Sequence, residues 1–269
     1  KLYQGFLFDF SQRTALNFGE LRTDMGNLFS EKILFNTAMK KCFNSYGDVR
    51  LSGEELKTKL KNGEPDYYIR EGTKLFVFEF KDAIINASDK YSANPNTIKS
   101  GILEKFEINK EGKKKGITQL MNTIVNIKNG VFNEVDITNW ENVVIYPIIV
   151  YTDITLESHG VNYFLNDRFK MLARKNGIPL DKLKRLVLIN LDTLIHLQDY
   201  FSNGKLLICE CIDSYTKYVS TEDLATTTFP FDKFIKHHFW ELHREKIKMP
   251  KTFYEIINRF EDEAKIDSL

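Results

Sequence analysis

At 269 residues, 42% of them apolar and 28% charged, the chain has the balance of a soluble globular protein and enough length for one large domain or two small ones. Its net charge of +1 excludes a globally basic or acidic surface, so a nucleic-acid partner would have to be met by a local patch. No apolar run approaches the length needed to cross a bilayer and no signal-peptide pattern is visible, so a membrane partner is not expected. The three irregularly spaced cysteines (Cys42, Cys209, Cys211) fit a cytoplasmic location.

Along the chain, Phe6, Phe8 and Phe10 alternate and predict a short strand or packed arm within residues 1–23. Residues 24–46 read as a helix, with Asp24 as N-cap and Gly47 as C-cap. Glu31 falls on its inward strip beside Leu28, Phe35 and Ala38. Val49-Arg50-Leu51 is a short strand, and Ser52-Gly53-Glu54-Glu55 is a capping box opening a helix to about Lys61. Asp66–Arg70, a turn at Glu71-Gly72-Thr73 and Lys74–Lys81 then form a β-hairpin. A weak helix over 97–109 leads to the basic loop Lys110–Gly116, followed by a clear helix over 117–128. Residues 143–151 are apolar throughout, as in a central strand buried on both faces. A helix over 161–175, a strand over 186–190, a helix capped by Asp192, another beginning near Lys205 and a helical, aromatic C-terminus complete the chain.

The hairpin carries an anomaly. Side chains alternate faces, so Glu79 and Lys81 share one face with Leu75 and Val77, while Phe76, Phe78 and Phe80 point the other way. A carboxylate and an ammonium are thus held together at the end of a very apolar strand, where charges are rare unless paired or bound to metal. The bland reading is an edge strand whose Glu–Lys pair deters aggregation.

Pro65-Asp66 and Glu79-Phe80-Lys81 on a hairpin, preceded by a helix and strand and followed by a helix and strand, resemble the PD-(D/E)XK nuclease superfamily over roughly residues 24–151. Other acid-x-Lys triplets occur at Glu55, Glu111 and Glu263, but only the one at Glu79 lies in such a strand. The resemblance implies an α/β fold: a restriction-endonuclease-like αβββαβ core with a mixed central sheet flanked by helices. It would occupy residues 1–155 with an N-terminal arm, and residues 156–269 would continue the α/β fold into a helical C-terminal extension.

The resemblance further implies one or two Mg²⁺ (or Mn²⁺) ions held by Asp66, Glu79 and the Phe80 carbonyl, with Glu31 binding directly or through water. Lys81 would orient or deprotonate the attacking water. Gln119 is similar to the glutamine that an exonuclease-like branch carries on the next helix; where that branch has a tyrosine four residues on, this chain has Thr123. The implied activity is metal-dependent hydrolysis of DNA, most simply by an endonuclease of a restriction or antiphage system, with a second copy or a defence-system protein as further partner. The competing readings are an exonuclease or ribonuclease of the same fold and a catalytically degenerate binding module.

Lys113, Lys114 and Lys115 are the nucleic-acid-binding candidates. Asp153 follows the 143–151 strand and could approach the site. His237, His238 and His243 read as helical surface histidines rather than metal ligands, and Cys209-Glu210-Cys211 lacks a second ligand pair at zinc spacing.

Overall fold

In the computed structural model, which describes residues 2–14, 16–60, 63–136, 138–243 and 250, the strands build one mixed sheet. Two helices, α1 (Leu2–Thr14) and α2 (Phe18–Asp24), come first. They run into a π-helical segment over Met25–Phe35 and then α3 (Asn36–Cys42). Strand β1 (Val49–Ser52), the short α4 (Gly53–Lys57) and the hairpin β2 (Tyr67–Glu71) and β3 (Lys74–Lys81) follow. Helices α5 (Ala87–Lys90), α6 (Pro95–Phe106) and α7 (Gly116–Lys128) lead to β4 (Val144–Tyr151). The chain then forms α8 (Val161–Lys175), β5 (Val187–Asn190), α9 (Leu191–Ser202), α10 (Ile208–Tyr218), α11 (Leu224–Thr227) and α12 (Phe231–His243).

The strands lie in the order β1-β2-β3-β4-β5, antiparallel from β1 to β3 and parallel from β3 to β5. Because β3 is hydrogen-bonded on both sides, the edge-strand reading of its Glu–Lys pair is ruled out. The hairpin closes through Gly72 and Thr73. Gly72 has φ +56° at the first central position, as a type II′ turn requires.

Both faces of the sheet are buried, which is why β4 reads as a continuous apolar run. On one face Phe76, Phe78 and Phe80 pack with Phe35, Met39 and residues of α9, α10 and α12. On the other, Leu75 and Val77 pack with residues of α4, α6, α7 and α8. Burial of each of these side chains contributes roughly 1.5–3 kcal/mol. The rings of Phe35 and Phe80 stack at 4.9 Å and tie the end of the π-helical segment to the end of β3.

Several local expectations are corrected. The N-terminal stretch is helical, because three alternating aromatics over five residues are too few to outweigh a proline-free sequence that suits a helix. Asp24 makes no cap; the chain continues helically through it, and Asn17 caps α2 by accepting from the N–H groups of Gly19 and Glu20. Gly47 lies beyond Phe43, where α3 ends. The capping box at Ser52 and Glu55 is present, but its helix stops at Lys57 and Lys61 lies outside the described residues. Asn190, not Asp192, caps α9, with its side chain accepting from the Asp192 N–H at 2.9 Å. The next helix starts at Ile208 rather than near Lys205.

The π-helical segment changes which residues face inward. The Asn36 N–H donates to the Glu31 carbonyl, five residues back, and this wider turn shifts the strip expected from helical spacing. Leu28 is 55% exposed, whereas Ser30 and Phe35 are buried.

At the far end of β4, the Tyr151 hydroxyl and the Asn190 N–H both donate to the Asp232 carboxylate, locking α12 onto the sheet. Burial pushes this carboxyl up to about 6, against those hydrogen bonds. A carboxyl raised above its ordinary value of 3.8 favours the fold most when protonated. Its stabilisation is therefore complete below about pH 4 and is lost as pH rises through about 6, a swing of roughly 2–3 kcal/mol. Asp232→Asn is expected to flatten the fall in urea stability between pH 4.5 and 7; equal slopes in parent and variant would contradict this.

Candidate active site

Asp66 lies one residue before the Tyr67↔Phe78 pair, so the antiparallel register sets it across from Glu79. Its backbone is held on both sides: its N–H donates to the Phe78 carbonyl at 3.0 Å and its carbonyl accepts from the Gly53 N–H at 2.8 Å. Gly53 permits that approach, since a Cβ there would sit 3.1 Å from the Pro65 carbonyl oxygen and 3.2 Å from Asp66 Cα. The Asp66 side chain is fixed as well, Oδ2 accepting from the Phe80 N–H at 2.6 Å.

Glu79 is 1% exposed, and its Oε1 accepts from Lys81 Nζ at 2.7 Å. The Lys81 side chain remains 16% exposed and lines a cleft of about 470 Å³. Arg22 from α2, Glu31 from the π-helical segment, Asp82, Lys105 from α6 and Lys115 line the same cleft.

Three carboxylates therefore share one ammonium. Burial raises the pKa of Glu31, and the Asp66 charge raises it further, against Lys57 and Lys81. Burial raises Asp66 too, opposed first by Lys81. Glu79 is pushed up to about 8 by burial and then by Asp66, against the pull of Lys81. For Lys81 burial works against the charged form, but Glu79, Asp66 and Glu31 outweigh it and hold the ammonium above its ordinary value. Both partners of the Glu79–Lys81 pair are raised because acids outnumber the base.

That donor set fits a hard divalent cation. Mg²⁺ takes one or two carboxylates and keeps several waters, and Asp66 and Glu79 supply that number in a place where extra positive charge relieves mutual repulsion. Among the described residues no three His, Cys, Asp or Glu side chains form a ready-made metal cage.

The sequence matches no protein-family model, and no curated protein sequence matches it. Among solved structures, the chain is similar to the small subunit of the heterodimeric restriction endonuclease R.BspD6I, with a TM-score of 0.35 and 10% identity. The match covers 81% of this chain and 91% of that one. A likeness that loose assigns no activity to this chain.

Of the basic-loop lysines, Lys115 alone reaches the cleft, and burial followed by the charges of Lys81 and Lys113 lowers its pKa. Lys113 is exposed and lies 3.7 Å from Glu111, and Lys114 Nζ donates to Asn122, so neither is brought to the site. Gln119 follows Lys115 by one turn of α7, and its Oε1 is a buried acceptor with no hydrogen-bond partner among the described residues. One turn later the Thr123 hydroxyl donates to the Gly63 carbonyl, so this face of α7 abuts the loop that leads to Pro65-Asp66.

Asp153 is tied to Lys90 at 2.8 Å and lines a neighbouring cleft instead. His237 is exposed, His238 stacks on Phe234, and the His243 side chain lies outside the described residues. Cys42, Cys209 and Cys211 are free and buried. Among the described residues no helix is long and apolar enough to cross a membrane. Sequence reasoning missed Arg22, Asp82 and Lys105. Asp82, directly after Lys81, was the one with a local signal.

Proposed function

We propose that this chain is a metal-dependent nuclease that hydrolyses phosphodiester bonds in DNA, cutting internally with Mg²⁺ or Mn²⁺ in the manner of PD-(D/E)XK enzymes. The observation that carries the reading is the placement of Asp66 opposite Glu79, with Lys81 two residues on and Glu31 from the π-helical segment, at the open end of a central strand. The order α3, β1, β2, β3, α7, β4 around them is consistent with the αβββαβ core, with α4, α5 and α6 as insertions. The setting that the resemblance implies is a restriction or antiphage system.

Asp66, Glu79 and the Phe80 carbonyl would hold the ion, with Glu31 as a direct or water-mediated ligand. A Mg²⁺ or Mn²⁺ ion bound there supplies charge for the phosphate oxygens and lowers the pKa of a coordinated water. Lys81 would donate to a non-bridging phosphate oxygen and orient or deprotonate the water that attacks phosphorus. Gln119 is not among the residues lining the cleft, and a part for it in positioning water would rest on the resemblance alone. Lys105, Lys115 and Arg22 would contact flanking phosphates, in a cleft that Glu104, Glu111 and Asp82 also line.

The test is cleavage of closed circular DNA, linear duplex, single strands and RNA with Mg²⁺, with Mn²⁺ and with chelator. Metal-dependent nicking or linearisation of the circle is expected. Degradation of linear DNA alone would favour an exonuclease, RNA cleavage alone a ribonuclease, and no cleavage of any substrate the degenerate module.

A further inference from the structure

A second cleft, of about 490 Å³, adjoins the first, and Asp82 and Ile84 line both. Its other walls include Phe29, Leu34, Tyr91 and Ile154. Tyr91 is 83% exposed, the most exposed large hydrophobic side chain among the described residues, and Ile154 is 63% exposed. We propose that this cleft takes the unpaired base beside the scissile phosphate, stacked on the Tyr91 ring, so that the substrate strand is single-stranded or locally opened. The inference rests on the nuclease reading and adds the form of its substrate.

Charge decides which part of a nucleotide enters. Asp82, Asp153, Asp192 and Lys90 line it; the Lys90 ammonium is taken by Asp153 at 2.8 Å, and Arg22, which lines the first cleft, lies 3.9 Å from Asp82. Asp82 is held in turn by the Thr152 hydroxyl at 2.7 Å. A phosphate would be repelled here, whereas a neutral base with an apolar face and amino groups meets apolar walls and carboxylate acceptors. Lys81 lines one cleft and Asp82, the next residue, lines both, so the base cleft adjoins the proposed phosphate contact. A volume of this size is ample for one base and its sugar.

The rim that carries Tyr91 is stiff. Lys90 is anchored by its ion pair, and the Ser92 hydroxyl donates to the Asp89 carbonyl at 3.0 Å while accepting from the Asn94 N–H at 3.2 Å. Ala93 has φ +54°, a left-handed conformation that costs a non-glycine residue about 1–2 kcal/mol. Strain of this kind persists where the surroundings hold it, as the Ser92 hydrogen bonds do here.

The experiment measures binding of a single-stranded oligodeoxynucleotide containing 2-aminopurine, and of its duplex, to the full chain in Ca²⁺ buffer. Quenching by the parent and tighter binding of the single strand are expected. Tyr91→Ala should weaken single-strand binding about tenfold and remove the quench, and Tyr91→Phe should keep both. Tyr91→Ala binding like the parent, as when a partner protein rather than a base covers Tyr91, would overturn the proposal. Equal affinity and quench with the duplex would overturn it too. The readout does not need catalysis: a chain that quenches but never cuts keeps the base cleft and loses the nuclease, and one that cuts with no Tyr91 effect does the reverse.

Discussion

Lys81→Ala is expected to lower metal-dependent cleavage of closed circular DNA by about 100- to 1,000-fold, with the far-ultraviolet circular dichroism spectrum unchanged. The side chain lies at the open end of β3, 16% exposed and paired with Glu79. Its removal leaves Glu79 free to take up a proton, which burial and Asp66 already favour. Lys81→Arg is expected to recover little, because a planar fork does not reproduce a compact ammonium in so confined a position. Initial rates of plasmid nicking check both variants. If Lys81→Ala cuts like the parent, the hairpin is not the catalytic centre.

Glu79→Gln should separate activity from stability. Cleavage is expected to fall by about the same 100- to 1,000-fold, since a neutral amide is a poor ligand for a hard cation and cannot offset its charge. Urea unfolding, by contrast, should show stability at or above the parent's, by about 1 kcal/mol or more. Breaking a buried ion pair normally destabilises, because the remaining partner is orphaned. Here Asp66 and Glu31 still face the Lys81 ammonium, so what is lost is one of three crowded carboxylates. A loss of several kcal/mol would mean that the Glu79–Lys81 pair is a structural strut, and the charge excess assigned to the site would be wrong.

The hairpin was legible because its signals are local. Alternation alone separates Phe76, Phe78 and Phe80 from Leu75 and Val77, and the two sets enter different cores as the pattern requires. A two-residue turn with glycine fixes the register that sets Asp66 against Glu79. The β4 run and α7 were equally plain, since burial on both faces and a strong apolar stripe leave little choice. The N-terminal arm is helical despite its alternating aromatics, because Phe8 and Phe10 are exposed on α1 and their spacing reports no core.

Helical spacing also put Leu28 on the inward strip with Glu31. No side-chain period announces a π-helical segment, which moves Leu28 outward while Glu31 still lines the cleft. Arg22, Lys105 and Lys115 come from three separate parts of the chain, and only the packing of α2, α6 and the loop before α7 around the end of β3 makes them neighbours. The basic loop is plain in the sequence as a charge run, yet Lys113 and Lys114 are spent on Glu111 and Asn122. Charge density in the sequence located the loop without showing which lysine faces inward.

An ion-binding pair of Asp66 and Glu79 beside Lys81 is open to direct observation. Crystals of the full chain soaked in Mn²⁺, with anomalous diffraction recorded, test it most directly. The account predicts a peak at coordinating distance from Asp66, Glu79 and the Phe80 carbonyl, with Lys81 Nζ released from Glu79 toward the cleft. A peak only at the Asp82 and Asp153 carboxylates, or no peak while Lys81 stays on Glu79, would contradict it.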